Sequence, residues 1–212
     1  MQAINLLELL AKVRAIITDS HIVYTSGRHG SAYVNKDALY PYPNLLSGVC
    51  TSFARYFDSF NIDVVAAPAI GGVALSQWTA YHLSSPGTQV LSVYAEKQAD
   101  SSFIFRRGYD RLLNGKRILV LEDIVTTGRS LKAVIDAVAA AGGTVAGAGA
   151  ICNRGGITAD VLGTPILHAL ADLPLDSWSA EECPLCLANV PINVNVGKGR
   201  EFLQGIETTS RK

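Results

Sequence analysis

The residues with the clearest chemical potential form one run: Glu122-Asp123-Ile124-Val125-Thr126-Thr127-Gly128-Arg129-Ser130. Two adjacent acids accept hydrogen bonds from hydroxyl groups. Thr126, Thr127 and Ser130 offer hydroxyl donors, and Gly128 lets the backbone close around an anion. Carboxylates beside a phosphate cradle suit a ligand that carries both hydroxyls and phosphate, such as a phosphoribosyl group. Taken singly, the acids would be solvated loop residues and Thr127 or Ser130 a helix cap. As an ordered nonapeptide directly after the apolar segment Arg117 to Leu121 (RILVL), they read as a binding loop. The run is not a P-loop, because the chain has no GxxxxGKS/T pattern. Gly147-Ala148-Gly149 lacks the third glycine of a dinucleotide fingerprint.

Such a loop needs elements to hold it. Asp63 to Pro68 (DVVAAP) reads as a buried strand, followed by Ile70-Gly71-Gly72 and a helix from Val73 to Leu83. Gln89 to Ala95 is strand-like, and Arg117 to Leu121 is the strongest strand pattern. Ser130 to Ala141 is helical and stops at Gly142-Gly143. Thr144 to Cys152 and Ile166 to Leu170 return as strands. Strands alternating with helices predict an α/β fold with a central, mainly parallel sheet flanked by helices. In such a sheet, ligands sit beyond the carboxyl ends of the strands, where the acids and hydroxyls fall. Met1 to Asp19 has helical apolar spacing at Ile4, Leu6, Leu7, Leu10, Val13 and Ile17. Glu96 to Gly115 is polar, and it reads as a lid or as a hairpin around Asp100-Ser101 with Phe103-Ile104-Phe105 as its return arm. The tail from Pro174 shows little core pattern, which suits a segment that wraps the sheet or builds a hood.

The totals exclude several classes. Hydrophobic residues at 49% and charged residues at 17% suit a well-cored domain rather than a disordered one. Eighteen basic residues balance eighteen acidic ones, so no overall field points to nucleic acid or an anionic membrane. Residues 137–151 contain four glycines and make a poor membrane span. Glu8 interrupts the N-terminal apolar run, which argues against a signal peptide. The expectation is a cytoplasmic protein. Cys50 and Cys152 sit in apolar surroundings and read as reduced core residues. Cys183-Pro184-Leu185-Cys186 reads first as structural thiols or a redox-labile pair, and second as half of a zinc site. No second CxxC exists, and only scattered histidines such as His168 could complete a metal set.

The string Val120-Leu121-Glu122-Asp123-Ile124-Val125-Thr126-Thr127-Gly128-Arg129-Ser130 resembles the donor signature of the type I phosphoribosyltransferases. Further pieces are similar to the branch of that family that acts on orotate. These are Thr25-Ser26-Gly27-Arg28-His29 with Tyr33-Val34-Asn35-Lys36-Asp37, Tyr94-Ala95-Glu96-Lys97, Arg106-Arg107-Gly108, Asn153-Arg154-Gly155-Gly156 and Glu182-Cys183-Pro184-Leu185-Cys186. They span about residues 20 to 200. The last piece is similar to the tail of a bacterial subgroup, which lowers the zinc reading further.

The resemblance implies a single domain over residues 1–212, with a core of about 45–172 and a small hood from about 1–44 and 173–212. It implies transfer of the 5-phosphoribosyl group from 5-phosphoribosyl 1-diphosphate to orotate, giving orotidine 5′-monophosphate and pyrophosphate for pyrimidine synthesis. Transfer to a purine or to uracil, or a donor-sensing regulator without catalysis, are the alternatives. Glu122 through Ser130 would hold ribose and 5-phosphate, with Glu122, Asp123 and Lys97 in catalysis. Lys97, Arg106, Arg107 and the Ile70-Gly71 backbone would hold the pyrophosphate. Thr126, Arg154, Ser26, Gly27, Arg28, Tyr33 and Val34 would bind orotate. Mg²⁺ would bind through substrate oxygens and water rather than a protein ligand cluster. A homodimer is implied, with small-molecule substrates and neither nucleic acid nor membrane as partner. In place of lysines or arginines common in relatives, this chain has Thr25, with Lys36 nearby, then Glu96, and no lysine in Ile70-Gly71-Gly72.

Overall fold

The computed structural model describes residues 6–24, 26–173 and 175–209. In chain order the elements begin α1 (Leu6–Lys12), β1 (Ile16–Ile17), β2 (Ile22–Val23), β3 (His29–Gly30), β4 (Tyr33–Val34), α2 (Pro43–Phe57), β5 (Val64–Pro68), α3 (Gly71–Leu83) and β6 (Leu91–Lys97). They continue with β7 (Phe103–Ile104), β8 (Arg117–Val125), α4 (Arg129–Ala140), β9 (Thr144–Asn153), α5 (Ala159–Leu162), β10 (Leu167–Asp172), α6 (Pro184–Leu187) and α7 (Gly199–Thr209). The chain divides into two compact units, Met1–Leu9 with Tyr40–Pro174, and Leu10–Leu39 with Leu175–Lys212.

The first unit is built on a six-stranded sheet in the order β10-β9-β8-β5-β6-β7. All neighbours pair in parallel except β6 with β7. The β5-α3-β6 and β8-α4-β9 crossovers wind outward in opposite directions from the β5/β8 pair. Right-handed crossovers that wind in opposite directions place their helices on opposite faces of a sheet. One face carries the cluster of Val64, Ala66, Ile118, Val120, Ala148 and Ala150 under Leu131, Val134 and Val138 of α4. On the other, Gly147 and Gly149 of β9 make room for Phe57 and Phe53 of α2. A Cβ at either glycine would lie 2.8 Å from Phe57 or Leu121 and 3.0 Å from Ile166 or Phe53. The glycines that dilute this strand pattern are therefore where aromatic rings press on the sheet.

The mainly parallel sheet flanked by helices is as expected, as is the hairpin reading of Glu96 to Gly115, and two local differences lie in β8 and the N-terminal helix. Strand β8 continues through Glu122 and Asp123 to Val125, because its ladder with β9 runs on to the Val125–Asn153 pair. The Glu96 to Gly115 segment is a hairpin at its start: Glu96 pairs with Ile104 and Lys97 with Phe103, around the Asp100–Ser102 turn. The N-terminal helix is short. It ends at Lys12, Arg14 turns left-handed at φ 53, and Ile16–Ile17 pairs with Tyr33–Val34. Two adjacent β-branched residues are better served by a ladder than by a helix turn. Ile4, part of the expected helix, lies outside the described residues.

The second unit is made of short pieces. β1 pairs with β4 and β2 with β3, both antiparallel. Single bridges join His21 to Ile192 and His29 to Trp178. The Lys198 amide donates to the Val23 carbonyl at 2.7 Å. The segment after Leu175 is thus stitched to residues 20–30 by backbone hydrogen bonds.

Candidate active site

In the first unit the strand ends gather the predicted residues. Because β9, β8, β5 and β6 are parallel neighbours, Arg154, residues 122–130, Ile70-Gly71 and Lys97 all lie at or just beyond carboxyl ends on one edge of the sheet. At about 4.8 Å per strand, the row from Arg154 to Lys97 spans about 15 Å, the scale of a nucleotide. The winding reverses between β5 and β8, and an open α/β sheet offers a ligand crevice at such a switch point. Two helices start on either side of it, α3 after Ile70 and α4 after Gly128.

The acids are buried in the edge itself, Glu122 at 8% exposure and Asp123 at 4%. A buried carboxylate has to be met by donors. Asp123 Oδ1 accepts from the Ile124 amide at 2.7 Å and Oδ2 from the Tyr40 hydroxyl at 3.3 Å, while Glu122 Oε1 accepts from the Asp123 amide at 3.2 Å. Beyond them Thr126 and Thr127 are exposed and Gly128 is left-handed at φ 73. The ladder of α4 starts with the Lys132 amide donating to the Gly128 carbonyl at 2.8 Å. The amides of Arg129, Ser130 and Leu131 precede that first bond and have no carbonyl one turn back, which leaves a helix start suited to an anion. Ser130 and Arg129 are exposed there, and the Arg129 amide reaches Thr127 Oγ1 at 3.5 Å.

Arg154 is held by its backbone. Its amide donates to the Val125 carbonyl at 2.7 Å, as does that of Gly155 at 3.2 Å. A Cβ on Gly155 would lie 1.6 Å from the Thr126 carbonyl oxygen, so the two turns touch and only glycine fits. Asn153 closes the second turn from both sides, donating to the Ile157 carbonyl at 2.9 Å and accepting from the Ile157 amide at 3.1 Å. A Cβ on Gly128 would be 3.1 to 3.2 Å from Leu162 and Ile157. The donor loop therefore rests on the Arg154 turn.

Ile70 is 89% exposed at the start of α3, and the Ala69–Ile70 peptide is cis. Gly72 is pressed against β5, where a Cβ would lie 2.6 Å from that of Ala67. Lys97 is exposed at the end of β6. Arg106 and Arg107 are exposed too, but they do not form a bare basic loop. Arg107 pairs with Glu96 at 3.1 Å and Arg106 with the same carboxylate at 3.5 Å, and Arg106 also donates to Gln98 at 2.9 Å. The hydrogen bond to Glu96 raises the Arg107 pKa.

In the second unit, Ser26, Gly27 and Arg28 form the exposed β2–β3 turn, with Gly27 left-handed at φ 79. The Arg28 guanidinium donates to Ser177 Oγ at 2.9 Å and to the Ser177 carbonyl. Tyr33 is half-buried and Val34 buried in β4. Thr25 lies outside the described residues. His168 does not accompany the cysteines: its ring stacks on Tyr56 at 3.6 Å, and burial lowers its pKa. The histidines beside Cys183 and Cys186 are His21 and His29.

Tyr40 and Asn153 were not singled out for these contacts by sequence reasoning. Asn153 is signalled by Asn-Arg-Gly-Gly after a strand, a turn in which an asparagine closes the backbone. Tyr40 lies 83 residues from Asp123 and carries no local signal.

Sheet order, switch point and donor loop define a class of protein, and the family model described as "Phosphoribosyl transferase domain" matches residues 35–166. An orotate phosphoribosyltransferase of Caldanaerobacter subterraneus subsp. tengcongensis is 34% identical, over 91% of this chain and 96% of that one. One from Thermus thermophilus is 35% identical, over 89% and 98%. The chain belongs to the orotate phosphoribosyltransferase family. Among solved structures, the Mycobacterium tuberculosis orotate phosphoribosyltransferase in complex with 5-phospho-alpha-D-ribosyl 1-diphosphate has a TM-score of 0.60. It covers 79% of this chain and 94% of that one at 22% identity, a likeness of fold.

Proposed function

We propose that the chain transfers the 5-phosphoribosyl group of 5-phosphoribosyl 1-diphosphate to orotate, releasing pyrophosphate and forming orotidine 5′-monophosphate for pyrimidine synthesis. The observation that carries this is the loop at the β5/β8 switch point: two buried carboxylates, then a helix start behind a left-handed glycine, in a chain about one third identical to orotate phosphoribosyltransferases.

In this reading the amides and hydroxyls of Thr126 to Ser130 hold the 5-phosphate, and Glu122 and Asp123 accept from the ribose hydroxyls. Leaving-group departure runs ahead of attack by the base nitrogen, so the ribosyl carbon becomes cationic and the pyrophosphate gains charge. The chain contributes position and electrostatics. The start of α3 at Ile70-Gly71 and the cations of Lys97, Arg106 and Arg107 face the leaving group, and closure of the β6–β7 hairpin excludes water. Arg154 gives paired charge-assisted bonds to orotate, each contributing on the order of 1.5–3 kcal/mol. Thr126, Ser26, Gly27, Arg28, Tyr33 and Val34 share the base-side role. Residues 1–44 and 173–212 are read as a hood on a core of 45–172.

The donor set at the edge fits Mg²⁺ carried in with its substrate. The oxygens of Glu122 and Asp123 are partly engaged by backbone amides and Tyr40, and Mg²⁺ keeps waters and substrate oxygens in preference to a protein cage. Carried in with the donor, Mg²⁺ would supply positive charge to offset that on the departing pyrophosphate. The proposal includes a homodimer in the cytoplasm. No described helix is long and apolar enough to cross a membrane, and light scattering should return twice the 22.5 kDa chain mass.

A base-by-base assay of pyrophosphate release tests the function. The expected result is release that requires orotate, donor and Mg²⁺ together. Turnover with adenine, hypoxanthine or uracil but not orotate would reassign the base, and donor binding without turnover on any base would remove the enzyme.

A further inference from the structure

Four side chains with soft or borderline donor atoms meet inside the second unit. His21 precedes β2, His29 opens β3, and Cys183 and Cys186 flank the start of α6. Their exposures are small: His21 2%, His29 0%, Cys183 0%, with Cys186 half-buried. One donor atom from each lies within 4.8 Å of all the others. Both cysteines are free thiols.

The separations have the dimensions of a coordination shell. A tetrahedral zinc with bonds of about 2.0–2.3 Å holds its ligand atoms about 3.3–3.8 Å apart. Here His21 Nε2 is 3.6 Å from Cys183 Sγ and 3.6 Å from Cys186 Sγ, and His29 Nδ1 is 3.3 Å from Cys186 Sγ. The two ring nitrogens are 2.9 Å apart. Six separations all below 4.8 Å leave room for one ion and none for a two-iron cluster.

The surroundings orient the ligands. His21 Nδ1 is 2.7 Å from the Val190 carbonyl. A carbonyl only accepts, so Nδ1 carries the proton and Nε2 turns a lone pair toward the cluster, the outer-shell arrangement of metal-bound histidines. Among the described residues, buried His29 has no hydrogen-bond partner at Nε2, so there the ring is met only on its Nδ1 side, which faces the cluster. The Phe202 ring packs edge-on against it at 4.8 Å and shields it from water.

We infer that His21, His29, Cys183 and Cys186 bind one Zn²⁺ in a closed, structural site. Four protein ligands leave no open position for a substrate, so the ion has no part in the transfer reaction. Its work is mechanical. The strands of the second unit are two residues long, paired in two small ladders and linked to the tail by single bridges, and small assemblies commonly gain from a metal or disulfide staple. The ion ties the residue 20–30 hairpin to the tail at two points, with both thiols bound as thiolates and their protons released.

The test uses the full chain without a polyhistidine tag, expressed with zinc in the medium and purified without chelator. Elemental analysis should find about one zinc per chain. Replacement by Co²⁺ should give thiolate-to-cobalt charge-transfer bands and intense tetrahedral visible bands. Cys183→Ser and Cys186→Ser should each lower the zinc content at least several-fold, whereas His168→Ala should keep it. If the cysteine variants do not fold, the wild-type metal content and cobalt spectrum still decide. Wild-type protein without stoichiometric metal, a weak octahedral cobalt spectrum, a Cys183–Cys186 disulfide, or a folded Cys183→Ser with full zinc would each overturn the site.

Discussion

Asp123 sits near the end of β8 in the proposed donor site, 4% exposed, with one oxygen on the Ile124 amide and the other on Tyr40. Asp123→Asn keeps the shape and removes the charge. Turnover should fall on the order of 10²-fold, the usual loss for one preorganised electrostatic group, with an unchanged melting profile; wild-type turnover would take the acid out of the mechanism. Arg154→Ala should raise KM for orotate by at least on the order of 10- to 150-fold, the equivalent of one of its two charge-assisted bonds. It should barely move KM for the donor, and equal effects on both would place the arginine elsewhere. Cys50 and Cys152 are pushed by burial to about 12 and about 11 from an ordinary 9. A raised thiol pKa stabilises the fold below the ordinary value, and that contribution is lost as pH climbs through the raised one. The melting temperature should therefore fall more steeply above about pH 9 than in a Cys50→Ala, Cys152→Ala variant, which differential scanning calorimetry can compare.

At the scale of elements, the donor loop was legible because its signals are local: a β-rich run, two acids, hydroxyls and a glycine lie in one stretch. The length of β8 was not, since the ladder that carries it past Leu121 is supplied by β9. The same holds for the N-terminal segment, where β4 claims Ile16–Ile17 from an apparent helix pattern. Contacts between distant segments, such as Tyr40 with Asp123 or His21 with Cys183, leave no trace in local spacing. Gly155→Ala probes the contact between the two turns. A Cβ at 1.6 Å from the Thr126 oxygen must displace the donor loop. The expected cost is about 1–3 kcal/mol of stability with a larger loss of kcat/KM, and an undisturbed enzyme would mean the turns are not coupled. Glu96 restrains Arg106 and Arg107 on the β6–β7 hairpin. Exposed pairs are weak in water, so Glu96→Gln should lower KM for the donor only modestly, by up to about 5-fold. No change would mean those arginines do not meet the pyrophosphate.

Across the whole molecule, the proposed donor-binding residues and the inferred zinc ligands fall in different units. The first unit carries a sheet covered on both faces, and its edge presents the donor loop, the Arg154 turn and two helix starts. The second unit is built on two-residue strands, and the inferred zinc staple gives it rigidity without touching the chemistry. If the hairpin of one subunit serves its partner's site in the proposed homodimer, mixing Lys97→Ala with Asp123→Asn chains should restore roughly one quarter of wild-type activity, since half the dimers are mixed and one of their two sites is intact. No recovery would confine each site to one chain. The most direct measurement is a crystal structure with 5-phosphoribosyl 1-diphosphate and Mg²⁺ bound. The account predicts the 5-phosphate on the amides of Thr126 to Ser130, with the ribose hydroxyls on Glu122 and Asp123. Donor density elsewhere, with that turn empty at saturating ligand, would contradict it.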